Sequence, residues 1–376
     1  MSARRPLPRW ADIVLLPALN LLLAMIISGI VVAVIGQNPL DALRIMVYGA
    51  FGYGEGWGYT LHFATDFVFT GLAVAVAAHA GLFNIGAEGQ GYVAGLGAIA
   101  AGLLLDHTHW LLVLPAAIIA SAAIGAVWAA IPGWLQAKRG SHVVITTIML
   151  NFVASALMVY LLNRVLKPIG TMEPSSASVT GAGVIPQLRQ FFPIFGYAPV
   201  NVTIIFAILA LVFCYILIWH TRFGFAIRTL GHNPTASRYA GMSNSRLIII
   251  VMAISGGLAG MTAVNEVLGV QQRIVVDFMS GYGFVGIAVA LMGRNHPVGI
   301  ALAAILFGAL YQGGLELQFS MPAITRDMIV VIQALVILFT GAMEGLLRPG
   351  LESAFMLYRP EQKAEAIARE TATTEG

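Results

Sequence analysis

Ten stretches of the chain are apolar almost without interruption: about 13–35, 61–80, 85–105, 111–134, 142–162, 200–219, 246–264, 281–293, 298–312 and 325–345. An α-helix needs about 20 such residues to cross a hydrocarbon core roughly 30 Å thick. The pattern predicts an all-α, polytopic integral membrane protein with about ten transmembrane helices. Two runs are short, and one of them, 281–293, is interrupted by Gly281, Gly283, Gly286 and Gly293.

Composition agrees, since 59% of the 376 residues are hydrophobic and 10% charged, against about 25% charged in a soluble domain. Charge then orients the helices. With the N-terminus cytoplasmic and one crossing per run, Arg4, Arg5, Arg9, Lys138, Arg139, Arg222, Arg228, Arg238, Arg246, Arg294, Arg348, Arg359, Lys363 and Arg369 fall inside; Arg44, Arg164, Lys167, Arg189, Arg273 and Arg326 fall outside. The positive-inside rule favours that arrangement, with both ends cytoplasmic. The first run is too long for a cleaved signal segment and reads as a retained helix. Scattered basic residues and a net charge of +3 give no footprint for nucleic acid. The single cysteine, Cys214, allows neither a disulfide framework nor a thiolate metal site.

The expected organisation is a transmembrane domain over 1–350 and a cytoplasmic tail over 351–376, with the Glu-, Ala- and Thr-rich end from Pro360 a frayed helix or disordered. Residues 37–60 contain a possible amphipathic helix, NPLDALRIMVYGAF. Residues 163–199 form a long outer loop holding Pro168, Pro174, Pro186, Pro193 and Pro199. Residues 220–245 form the most polar cytoplasmic connection. Within it Asn233 suits an N-cap, Pro234 the first helical position and Gly241 a left-handed closure. That helix, of about two turns, is too short to stand alone and needs its own membrane domain or a partner; exposed Arg238 and Tyr239 suit an interface.

Polar groups inside apolar runs are costly unless they face a cavity or a partner. GLFNIGAEGQGYVAG (81–95) places Asn84, Glu88 and Gln90 among glycines at the start of the third run. A spacing of four puts Asn84 and Glu88 on one face if the backbone is helical, whereas the glycines equally allow a broken helix or close approach of a neighbour. These groups pin helices, line a translocation path, or load a proton. Asn151 in the fifth run has the same two structural or path readings, and Gln333 in the tenth a weaker version. Glu266 and Asp277 flank the outer side of the connection after the seventh run, suited to docking or to substrate. Asp106, His107 and His109 read as a solvated turn rather than a metal cluster. If runs two to five and seven to ten are related halves of opposite orientation, GYGFVGIAVALMG occupies the position of the NIGAEGQ segment. Matching Gly-interrupted segments in inverted halves point to a transport path, which makes Phe284 a further path candidate.

Gly231-His232-Asn233-Pro234-Thr235-Ala236-Ser237-Arg238-Tyr239-Ala240-Gly241 resembles the G-x-N-P-x-A-A-R-x-A-G cytoplasmic motif of ABC importer permeases of the branched-chain amino acid, ribose and nucleoside superfamily. GLFNIGAEGQ, TTIMLNFVA (146–154) and GYGFVGIAVALMGRNHPVG (281–299) resemble signatures of its nucleoside and simple-sugar branch. Ser237 and Met242 depart mildly from the pattern, and the 163–199 loop matches nothing in it. The resemblance implies a type II ABC importer-like permease fold with inverted half-repeats, in the inner (plasma) membrane of a bacterial cell. It also implies an ABC ATPase subunit, a second permease subunit, homologous or identical, and an extracytoplasmic substrate-binding protein as partners. Gly231, Asn233, Pro234, Ala236, Arg238, Tyr239 and Gly241 would form the segment that couples to the ATPase. No cofactor is expected on this chain; ATP and Mg would sit on the partner subunits. The sequence agrees on one point, because a Walker A loop needs a Gly-Lys pair and none of Lys138, Lys167 and Lys363 follows a glycine.

The alternative is an ion-coupled secondary transporter of a small polar solute. It asks for acidic or histidine relays in the runs, which are nearly free of acidic residues apart from Glu88 and Asp66, and leaves the 231–241 segment without a purpose. An intramembrane enzyme finds no support, for want of a His-Glu-x-x-His, an aspartate pair or a Ser/His couple within one run.

Overall fold

The computed structural model describes residues 8, 11, 15–342 and 348–353; the expectation for the tail from Pro360 lies outside them. A helix occupies each of the ten apolar stretches: α1 (Leu16–Val34), α3 (Gly54–His79), α4 (Ala87–Leu104), α5 (Trp110–Arg139), α6 (Val143–Arg164), α7 (Thr203–His220), α10 (Asn244–Ala263), α11 (Tyr282–Met292), α12 (Pro297–Ser320) and α13 (Arg326–Ala342). The expected amphipathic segment is α2 (Pro39–Phe51), and the polar connection over 220–245 carries α8 (Arg222–His232) and α9 (Pro234–Tyr239). Residues Val264–Gln271 continue α10 as a π-helix. Among the described residues, six helices are each long and apolar enough to cross a membrane, α3, α5, α6, α7, α10 with its π-helix, and α12, or seven if α1 and α2 form one broken span. The structure thus supports a multi-pass helical membrane protein, with the count of ten crossings left as an expectation.

Two compact units divide the chain, 1–43 with 321–376 and 44–320. In the first, α1 packs on α13. In the second, α3 is the axis, almost fully buried along its apolar length and packed by α7, α10, α11 and α12. The tightest pair is α5 with α10, where Gly256 abuts Gly125 and Ala129 so closely that a side chain at 256 would overlap both. Small residues let backbones touch, and dispersion contacts replace the hydrophobic drive that lipid does not supply.

The loops of this unit sort to two ends. At one end, Ser176 N–H donates to Ile274 O and Val179 N–H to Gln272 O, and Asp106 binds the 180–183 turn, so the connections after α4, α6 and α10 lie together. At the other, His79 Nε2 is 3.0 Å from Asn295 O, Gly231 abuts His79 and Gly81, and Ser245 Oγ donates to Ala137 O.

Helices α4 and α11 begin inside the fold. After α3 ends at His79 the chain turns at Gly81 (φ +73°) and runs back without helix through Leu82–Ile85 before α4 starts at Ala87. The chain after the π-helix likewise runs non-helically through 272–281 to α11. At 1.5 Å per residue, α11 spans only about 16 Å. Its C-terminal turn lies beside His79, so its start stands well above that end of α3.

Candidate functional site

The two interior helix starts meet at Glu88. Both of its carboxylate oxygens accept backbone N–H groups at the head of α11, Oε1 from Gly281 at 2.8 Å and Oε2 from Gly283 at 2.7 Å. The first N–H groups of a helix have no partner within it, and they form its positive pole. Glu88 supplies the missing cap from a different helix, and it also stands in the first turn of α4. Gly281 takes φ +84°, which turns its N–H toward the carboxylate, and Gly283 leaves no room for a side chain against the Glu88 backbone. The glycines of GYGF thereby acquire a physical reason. Phe284, the next residue on α11, is 49% exposed.

The condition for Asn84 and Glu88 to share a helical face is not met, because Asn84 precedes the first turn of α4. The Asn84 side chain folds onto the helix instead. Its Nδ2 donates to Gln90 Oε1 (2.9 Å) and Ser255 Oγ (2.8 Å), and its Oδ1 accepts from Gly86 N–H (2.8 Å) and Gln90 Nε2 (3.1 Å). Ser255 Oγ donates onward to Ala73 O at 2.6 Å. Asn84 and Gln90, both buried, thus tie the lead-in, α4, α10 and α3 into one polar knot. Asn151 on α6 clamps the same segment from the far side, donating to Ile85 O (2.9 Å) and accepting from Gly89 N–H (3.0 Å). A non-helical stretch deep in an apolar fold needs such partners for its backbone groups.

The polar connection forms the short helix that the sequence indicated. Asn233 Oδ1 accepts from Thr235 N–H (2.9 Å) and Ala236 N–H (3.0 Å), Pro234 opens α9, and Gly241 follows with φ +79°. Pro234, Ala236, Arg238 and Tyr239 are exposed, Tyr239 to 89%, while Ser237 is buried. Gly231, at the end of α8, lies against His79 O and the Gly81 backbone with no space for a Cβ. The segment therefore touches the turn that leads into Asn84 and Glu88.

At the opposite end, the Asp106 carboxylate accepts N–H groups from Thr180, Gly181 and Gly183. Burial tends to raise its pKa, but the three donors prevail and hold it below the ordinary carboxylate value. Asp106 thus anchors the 163–199 loop from within an exposed turn, and His109 accepts from Leu111 N–H at the start of α5. The reading of Glu266 as an outer flank is corrected: it lies in the π-helix and is 4% exposed. It joins His62 and Asp66 in a buried cluster. Asp277 remains on the surface with φ +60°, its N–H donating to Tyr92 Oη at 2.8 Å.

Comparison with known proteins matches residues 58–341 to the family model described as branched-chain amino acid transport system, permease component. The chain is 34% identical to a glucose ABC transporter permease protein of Haloferax volcanii, with 94% of each chain covered. It is 35% identical to a guanosine ABC transporter permease protein of Bacillus subtilis, over 87% of this chain and 93% of the other. With a nucleoside ABC transporter permease protein of Lactococcus lactis the identity is 32%, over 87% and 90%.

Proposed function

This chain belongs to the family of branched-chain amino acid transport system permease components and is the permease subunit of an ABC importer; from that premise we propose that it carries a nucleoside, with a simple sugar as the second choice. The observation that carries the mechanism is the junction of α4 and α11 at Glu88, with the half-exposed Phe284 following Gly283 on α11. Discontinuous helices meeting inside a membrane domain are where transporters build their paths. An aromatic ring offers a face on which a base or a sugar's apolar face can stack. In this reading Glu88 and Phe284 border the path, while Asn84, Gln90 and Asn151, whose amides are engaged within the fold, hold its wall in shape.

An ABC ATPase subunit supplies the energy in trans from ATP and Mg, docking on α9 through Arg238 and Tyr239. Gly231 passes its movement to His79 and Gly81 by direct backbone contact, and from there to the lead-in of α4. A second permease subunit completes the path, and an extracytoplasmic binding protein delivers the solute to the end built from the 163–199 loop. The location proposed is the inner membrane, with 1–350 as the transmembrane domain, both termini cytoplasmic and 220–245 as the coupling loop.

The test is uptake of labelled guanosine, and of labelled glucose, in cells with and without the ATPase partner. Guanosine uptake lost on deleting the ATPase is the expected result. Uptake that survives the deletion and collapses with an uncoupler overturns the ATP-driven reading. Guanosine uptake that is unchanged by the deletion while uptake of labelled glucose is lost overturns the substrate. For the docking assignment, Arg238→Glu is expected to abolish transport and weaken co-purification of the ATPase while membrane insertion stays normal; unchanged co-purification removes α9 from the docking site.

A further inference from the structure

His62 and Asp66 on α3 meet Asn265 and Glu266 on the π-helix, all four at most 4% exposed. Their hydrogen bonds have a polarity that two backbone groups dictate. Thr203 N–H donates to Asn201 Oδ1 (3.0 Å), and Asn201 Nδ2 donates to Pro199 O (3.2 Å). A backbone N–H can only donate and a carbonyl only accept, so the Asn201 amide has one orientation. Its Nδ2 also meets Asn265 Oδ1 at 2.8 Å, which fixes Asn265 in turn. Asn265 Nδ2 therefore donates to Asp66 Oδ1 (2.9 Å) and faces His62 Nδ1 (3.2 Å).

His62 Nδ1 is consequently an acceptor, and the ring's proton is on Nε2. That nitrogen lies 3.1 Å from Glu266 Oε1 and 4.0 Å from Asp66 Oδ2. Two conclusions follow. The ring presents the carboxylates with a single N–H, since a proton on Nδ1 would confront the Asn265 amide. Nε2 then has no lone pair for a metal ion, although the three side chains lie within ligand distance of one another.

Two carboxyl groups thus remain in a buried site. Tyr282 on α11, Tyr311 on α12 and Glu88 on α4 stand within electrostatic reach of this region, Asn201 and Thr203 adjoin it neutrally, and among the described residues no lysine or arginine pairs with either carboxylate. Asp66 Oδ2 and Glu266 Oε1 also lack a hydrogen-bond donor of satisfactory geometry. The two carboxylates lie within 4.8 Å of each other; ionised, both are acceptors only, and the one species that lets them hydrogen-bond is a proton.

We propose that Asp66 and Glu266 form a proton-binding site inside the membrane domain, with a resident proton on Asp66 Oδ2 donated to Glu266, and that this shared proton clasps α3 to the π-helix. Asp66 Oδ1 keeps its bond from Asn265, and the charge left on Glu266 faces His62 Nε2 at 3.1 Å. Asp66→Asn reproduces the protonated form, because an amide oxygen replaces Oδ1 and an amide N–H replaces the proton.

The experiment uses the full chain in lipid vesicles. The infrared difference spectrum of wild type minus Asp66→Asn at neutral pH is expected to show a protonated carboxyl band that shifts in deuterium oxide. The wild type's thermal midpoint should fall from neutral to alkaline pH, as the proton leaves, and that of Asp66→Asn should stay level. A difference spectrum with no such band, an equal alkaline slope in both proteins, or a metal ion retained stoichiometrically by the purified wild type overturns the proposal. Should Asp66→Asn not fold, Glu266→Gln, whose amide can donate to an ionised Asp66, gives the same readouts with the same expected and overturning results.

Discussion

Glu88 shows how one side chain can substitute for a structure that a helix cannot make for itself. Removing its carboxylate in Glu88→Ala leaves the N–H groups of Gly281 and Gly283 without their acceptor, and each buried donor so orphaned costs about 1–3 kcal/mol. The variant is therefore expected to unfold at a lower temperature in detergent, and Glu88→Gln, which keeps one acceptor oxygen, to fall in between. Asp106 performs a related task at the other end, with a different dependence on pH. Its folded-state pKa is depressed by the donors, so its contribution is present above the ordinary carboxylate value of about 3.9 and is lost as pH falls through the lower folded value. Amide exchange across 163–199 is expected to rise in Asp106→Ala at neutral pH and in the wild type only under strong acid. The sequence singled out both residues, but not their partners. Glu88 lies 193 positions from Gly281 and Asp106 lies 77 from Gly183, separations at which no local pattern carries information.

Among the elements, α9 was the most legible. Its cap, its proline and its closing glycine all act within a few residues, so the local chemistry that predicts it is the chemistry that forms it. Asn233→Ala removes the acceptor for two N–H groups, a loss of about 1 kcal/mol in a helix of six residues. The expected result is weaker co-purification of the ATPase, recovered in Asn233→Ser. Helices α4 and α11 were legible only in part. Glycine content and short apolar length marked them as unusual, yet where each begins depends on Asn84, Asn151 and Glu88 finding partners on other helices. Of the helix and the broken helix that the glycines left open, the broken one holds for this reason: Gly86 N–H is satisfied by the Asn84 side chain and Ile85 O by Asn151 from α6, so helix is not obligatory there.

At the scale of the molecule, the large unit is assembled by close backbone approach about α3 and between α5 and α10. Gly256→Leu would drive a side chain into Gly125 and Ala129, and overpacking of this kind costs about 1–3 kcal/mol or more; loss of the monodisperse peak in fluorescence-detected size exclusion is the expected result. The sequence by itself determined that the chain is helical and membrane-embedded, where its helices lie, and through four ordered motifs what family it resembles. These properties are local, because a helix satisfies its backbone within itself and lipid selects apolar side chains one run at a time. Only the tertiary structure decided that two helix starts converge on Glu88, that Asn84 and Gln90 close a knot, and that Asp66 and Glu266, remote in sequence, share one buried site. In a medium with no water to satisfy polar groups, their partners must come from other helices, and the identity of those partners exists only once the helices have packed.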